Sequence, residues 1–178
     1  MDAETLVIGS VSTPQLDPVW LAMSNRGLVA VEFRVPRRRF EATVRKQMRR
    51  ATQLVFDPSN KHISGALCEI AEYVAGQRRV FRMPIDWSIL GSDFQREALR
   101  AVMAIPYGMT STYGKLAIQI GYPEASRAVG RANATNPMPL VIPCHRVIGS
   151  DGKLRGYGGA GGLKTKQWLL DMERSNQQ

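Results

Sequence analysis

The sequence predicts an α+β protein built in two parts, a mixed strand-and-helix half followed by a mostly helical half. Three observations carry this expectation. An alternating apolar stretch around residues 19–33 is interrupted by Ser24-Asn25-Arg26-Gly27, the pattern of a β-hairpin. Beyond residue 90, runs at helical spacing are punctuated by Ser, Thr, Gly and Pro at positions that start and stop helices. The length of 178 residues with 44% hydrophobic content is enough for one large domain or two small ones, each with a core. Residues near 77–90 form a connector, which sets the expected domains at 1–85 and 86–178.

In the first part the hairpin pairs Val19-Trp20-Leu21-Ala22-Met23 with residues 28–33. A basic helix is expected over 38–50, where Phe40, Val44 and Met48 recur at helical spacing. Another is expected over 64–75, ended by Gly76, and residues 81–85 read as extended. In the second part Ser92 caps a helix that runs to about Ile105, where Pro106 and Gly108 break it. A shorter helix is expected over 113–120, then a Gly121-Tyr122-Pro123 turn, then a helix over 124–134. Two short helices about a tight glycine turn outline a helix-turn-helix. The second of them is rich in small residues, and its Arg127 and Arg131, four apart, share a face. That pattern fits either a helix packed tightly on a neighbour or one laid on DNA. Residues 149–153 read as a hairpin turn, and a final helix is expected over 164–173.

The formal net charge of +9 suggests an acidic partner, nucleic acid before anionic membrane, and the excess is spread along the chain. Residues 1–80 hold 12 Lys and Arg against 8 Asp and Glu, and residues 81–178 hold 12 against 7. No run of about 18 apolar residues is present to span a membrane, and Met1-Asp2-Ala3-Glu4 lacks the start of a secretory signal. With two cysteines, Cys68 and Cys144, a disulfide framework is excluded and a cytoplasmic location is expected.

Chemistry concentrates in Leu140-Val141-Ile142-Pro143-Cys144-His145-Arg146-Val147-Ile148. An apolar run delivers a thiol, an imidazole and a guanidinium together, so Cys144 is shielded and has a base beside it. Neighbouring side chains in a strand point to opposite faces, so contact between Cys144 and His145 requires a turn, or else a bridging water. His145 needs an orienting carboxylate, and in the last helix Glu173 and Asp171 are both candidates on spacing. A structural cysteine and a cysteine hydrolase are rival readings. A zinc site would have to draw on Cys68, Cys144, His62 and His145, and the six-residue step from His62 to Cys68 is not a usual ligand spacing. Downstream, Gly156-Tyr157-Gly158-Gly159-Ala160-Gly161-Gly162 is either a flexible linker or a backbone surface able to approach a flat ligand closely.

Pro143-Cys144-His145-Arg146-Val147, together with Arg127-Ala128-Val129-Gly130, Asn136-Pro137 and the Gly-Tyr-Gly-Gly loop, resembles the O6-alkylguanine-DNA alkyltransferase family. The likeness runs on through Lys166-Gln167-Trp168-Leu169-Leu170 and Glu173. Ile105-Pro106-Tyr107-Gly108 and Thr112-Tyr113-Gly114-Lys115 also fit, so residues 91–174 are covered densely and the first half in outline. The resemblance implies a ribonuclease-H-like first domain and a helical DNA-binding second domain. It implies an enzyme that needs no cofactor or metal, works as a monomer, and moves an alkyl group irreversibly from O6 of guanine, with O4 of thymine as a second target, to Cys144. Duplex DNA carrying the lesion, held by its minor groove, would be the partner.

The same resemblance makes His145 the general base, Glu173 its orienting carboxylate and Asn136 the brace of the Cys-His turn. Arg127 would fill the space of the flipped nucleotide, with Ala128, Arg131 and Ala132 on the DNA. Tyr113 would rotate and bind the base alongside Val147, Tyr157, Gly158, Gly159 and Ala160, and the carbonyls of Cys144 and Val147 would read the guanine amine. The loop from Tyr157 to Lys166 is two residues longer than the common family pattern, and glycine or Ala160 stands where a serine is frequent. The alternative is a non-enzymatic, lesion-binding alkyltransferase-like protein, a class that lacks the acceptor cysteine. A basic DNA-binding regulator would leave Cys144 without a role.

Overall fold

The computed structural model describes residues 4–48 and 52–176. They form two compact units, Met1–Ile89 and Leu90–Gln178.

The expected hairpin is the centre of the first unit: β2 (Val19–Ser24) pairs antiparallel with β3 (Gly27–Phe33), with a register shift at Ala22/Met23. Two strands absent from the pattern reading complete the sheet. β1 (Glu4–Val11) lies antiparallel to β2, and β4 (Thr52–Phe56) lies parallel to β1, giving the order β3-β2-β1-β4. β2 is buried along its whole length because helices cover both faces. α1 (Arg37–Gln47) sets Phe40 and Val44 into a cluster with Leu6, Ile8, Trp20 and Ala22, where Trp20 and Phe40 stack at 5.8 Å. Residues 49–50 of the expected basic helix lie outside the described residues. α2 (Lys61–Val74), capped by the Asn60 side chain, begins three residues earlier than expected. It packs so closely on β1 that a Cβ on Gly9 would stand 3.0 Å from a Leu67 methyl.

Residues 81–85 make no strand; a single bridge joins Ile85 to Leu28. That bridge, and buried Asp86 hydrogen-bonded to Ser24 at 2.7 Å and paired with Arg26 at 3.0 Å, hold this segment to the first unit. The unit therefore ends at Ile89 rather than at 85.

In the second unit Ser92 caps α3 (Asp93–Met103) by accepting from Gln95 N. Strand β5 (Ser111–Thr112) leads directly into α4 (Tyr113–Gln119), whose cap is the Thr112 side chain. A turn through Gly121, at φ +82°, reverses the chain into α5 (Ser126–Ala134). α3, α4 and α5 pack on one another around Leu99, Val102, Leu116 and Val129. Strand β6 (Val147–Ile148) pairs parallel with β5. The turn after it closes through Gly149 N to Lys153 O at 2.9 Å, but no second strand follows, so it is not a hairpin. α6 (Gly162–Ser175) ends the chain and is longer than expected at both ends. Among the described residues no helix is long and apolar enough to cross a membrane.

Candidate active site

Cys144, His145 and Arg146 form one turn of 3-10 helix, entered through Pro143 and followed at once by β6. The turn is what a regular strand could not provide, since it brings consecutive side chains into one site. Pairing of β6 with β5 brings the first residue of α4, Tyr113, to the same place. All three residues of the turn are buried, and Cys144 is 3% exposed.

Glu173 on α6 holds the turn from below. Its Oε1 lies 2.8 Å from His145 Nε2, and its carboxylate accepts from Arg146 Nε at 2.9 Å, Arg146 Nη2 at 2.9 Å and Gly108 N at 2.9 Å. These donors hold the Glu173 carboxyl far below the usual carboxylate range, against the opposing effect of burial. An ionised Glu173 makes His145 Nε2 the protonated nitrogen, which leaves the Nδ1 lone pair as the basic one. Burial pushes the His145 pKa down, so the ring is neutral, and Asp171, exposed on the far side of α6, is excluded as its partner.

Asn136 braces the approach to the turn: its Nδ2 donates to Ile142 O at 2.8 Å and its Oδ1 accepts from Met138 N at 3.0 Å. Burial raises the Cys144 thiol pKa. Three features pull the other way: a hydrogen bond from Asn136, the Lys166 charge, and the backbone N–H groups of Cys144 and His145. The pocket thus keeps a neutral thiol at rest and holds ready the donors that a thiolate needs.

Three contributors had no role assigned from the sequence. Arg146 fills the other half of Glu173 and donates from Nη1 to Ile105 O at 2.6 Å. Lys166, fully buried, donates from Nζ to Val147 O at 2.6 Å and Arg155 O at 2.9 Å, and burial brings its pKa down to about 8. Asn133 on α5 donates from Nδ2 to the Cys144 carbonyl at 3.3 Å. Lys166 and Glu173 had a signal: with Leu169 and Leu170 they stand at i, i+3, i+4 and i+7, the buried stripe of α6.

Beside the turn lies a cavity of about 710 Å³ lined by α4, α5 and the glycine loop. Tyr113, Arg127, Tyr157 and Gly158 all line it, as do Ser126, Gly130, Asn133, Ser150 and Arg155. Gly158 packs against the end of α5; a Cβ there would come 3.0 Å from Ala134 O. Burial drives the Tyr157 hydroxyl pKa well above its ordinary value, helped by the neighbouring Cys144.

Other expected residues stand elsewhere. Arg131 is exposed but outside the cavity lining, and Ala128 is half-buried. Ala132, 6% exposed, belongs to the core: its small side chain lets helices pack and is not offered to a ligand. Val147, Gly159 and Ala160 do not line the cavity, and Ala160 instead gives its carbonyl to the Thr165 hydroxyl at 2.8 Å. Cys68 is exposed on α2, and among the described residues no group of three His, Cys, Asp or Glu is placed to hold a metal ion.

Comparison with known proteins follows the same residues. The family model for the DNA-binding domain of 6-O-methylguanine DNA methyltransferase matches residues 93–175. A methylated-DNA–protein-cysteine methyltransferase of Mycobacterium tuberculosis is 44% identical over 133 residues, 71% of this chain and 78% of the relative. That of Salmonella typhimurium is 40% identical over 164 residues, 92% of each chain. The crystal structure of the M. tuberculosis O6-methylguanine methyltransferase superposes with TM-score 0.79 at 34% identity, over 97% of this chain and 95% of that one. The M. tuberculosis OGT in complex with DNA gives 0.79 at 37% identity, over 96% and 94%.

Proposed function

This chain belongs to the methylated-DNA–protein-cysteine methyltransferases, and from that premise we propose that it repairs O6-alkylguanine in duplex DNA by taking the alkyl group onto its own Cys144, once per molecule. The observation that carries the assignment is the buried Cys144 thiol at a turn whose next residue is paired with Glu173, beside a cavity of about 710 Å³.

In this reading α4 and α5 act as a helix-turn-helix, with α5 against the minor groove. The first unit, with a parallel β1–β4 pair beside an antiparallel β1-β2-β3 meander, fits a ribonuclease-H-like outline. A stacked base hides its O6 substituent, so the nucleotide must turn out of the helix, at a cost of about a few kcal/mol. Arg127, exposed at the mouth of the cavity, fills the space that is left, and Tyr113 holds the extruded base. His145 takes the thiol proton at Nδ1 through a bridging water, while Glu173 stabilises the imidazolium that results. The thiolate attacks the alkyl carbon as the carbon–O6 bond breaks. Its electron pair stays on the base, which takes up one proton to become guanine. The thioether product offers no easy return to a thiol, so the acceptor is spent.

The decisive experiment is intact-mass measurement after incubation with duplex DNA containing O6-methylguanine. A gain of one methyl group, mapped to Cys144 and absent in Cys144→Ser, is expected. Tight lesion binding without a mass change would replace this reading with that of a lesion-binding protein.

A further inference from the structure

The cavity beside the cysteine turn has cationic walls. Of the described residues that line it, Arg127 and Arg155 carry charge and none is Asp or Glu. Arg127 enters from the first turn of α5, and Arg155 from the segment that leads into the glycine loop. A nucleobase is neutral and calls for neither. What a nucleotide brings that does is its phosphate.

Arg155 is fixed at one end and loose at the other. Its carbonyl accepts from the buried Lys166 ammonium at 2.9 Å, which ties the backbone here to α6. Its guanidinium reaches back across the turn to Asp151, with Nη2 2.7 Å from Oδ2. The two side chains lie so close over Gly149 that a Cβ there would stand 2.5 Å from Asp151 Oδ1 and 3.0 Å from Arg155 Nε. Asp151 Oδ1 also accepts from Lys153 N at 3.2 Å, so the carboxylate is set in place as part of the turn. The pair lies at the surface, with side chains 57% and 41% exposed, and such pairs contribute little. It keeps the guanidinium at the cavity wall yet free to leave, and a phosphate offers the same planar fork a bidentate acceptor. The Arg155 charge is also felt at Tyr113, where burial raises the hydroxyl pKa and Arg155 works against that rise.

We propose that Arg155 is a phosphate-binding residue, which exchanges Asp151 for the backbone phosphate next to the extruded nucleotide. The inference rests on the repair reading above and adds to it a group that grips the displaced strand. Asp151 is then the resting partner that keeps the guanidinium within reach.

The test is equilibrium binding of a duplex containing O6-methylguanine across a salt series, in a Cys144→Ser background so that no transfer occurs. Loss of one phosphate contact removes about 0.9 from the slope of log K against log salt. Arg155→Met is expected to show that drop and to bind roughly fivefold more weakly at low salt, while Arg155→Lys keeps the slope within about 0.3. Asp151→Asn preserves the Oδ1 acceptor of the turn. It is expected to bind about two- to fivefold more tightly, and to lose most of that gain when combined with Arg155→Met. An unchanged slope in Arg155→Met, an equal drop in Arg155→Lys, or the same gain from Asp151→Asn with and without Arg155 would each overturn the proposal and leave Arg155 as a strut of the turn. Failure of the repair reading shows elsewhere, since the unmodified chain would then gain no methyl group on Cys144 whatever the salt slope.

Discussion

A carboxylate with no exposed surface persists only if both oxygens are supplied with donors, and Glu173 draws them from an imidazole, a guanidinium and a backbone N–H. One side chain thereby sets the tautomer of His145, neutralises buried Arg146 and fastens the Gly108 turn to α6. Replacing it with Gln keeps the shape but leaves Arg146 buried without a countercharge. Glu173→Gln is expected to lower unfolding free energy by about 3–5 kcal/mol, read by urea titration in a Cys144→Ser background. A loss under about 1 kcal/mol would mean the pair behaves like a surface ion pair.

At the scale of elements, α5 divides its residues between two tasks. Val129, Ala132 and Asn133 face inward, onto the core and the cysteine turn, while Arg127 and Arg131, four apart and so on one face, point outward. The inward face fixes where the outward face stands relative to the cavity, so Arg127 is placed at its rim by packing rather than by its own bonds. If Arg127 serves extrusion and not chemistry, Arg127→Ala should slow repair of duplex O6-methylguanine at least about tenfold and change reaction with free O6-benzylguanine by less than about twofold. Matching losses on both substrates would remove Arg127 from the extrusion step.

For the molecule as a whole, the site makes stability depend on acidity. His145 is held neutral by burial, so its folded pKa lies below the ordinary 6.5. Between those two values the unfolded chain binds a proton that the folded chain does not, and stability falls as the pH drops below about 6.5. Glu173 adds a second loss below 4.5, where the unfolded carboxyl takes a proton that the folded one refuses. Thermal unfolding followed from pH 7 to pH 5 should show the first loss in the unmodified chain and a flatter profile in His145→Gln. Parallel profiles would show that this imidazole carries no linkage.

The hairpin, α1 to α6 in rough extent, the two-part order and the Cys-His-Arg cluster were legible from spacing, because periodicity and turn chemistry are local properties of a chain. β1 and β4 were not: what makes them strands is pairing with partners brought from elsewhere in the sequence. Cys144 was visible as a reactive residue, but spacing alone left Glu173 and Asp171 both open, and what separates them physically is the burial of one face of α6. The burial of Arg146 and Lys166 was hidden for the same reason, since charged residues are ordinarily solvated and only the fold supplies the carboxylate and carbonyls that let these two go inside. Ala132 went the other way, a small residue fit for a ligand in sequence and claimed by the core in space. The sequence by itself determined which chemistry this protein carries. Tertiary structure decided which groups serve it, because burial and long-range hydrogen bonds, not neighbours along the chain, set the charge state of each one.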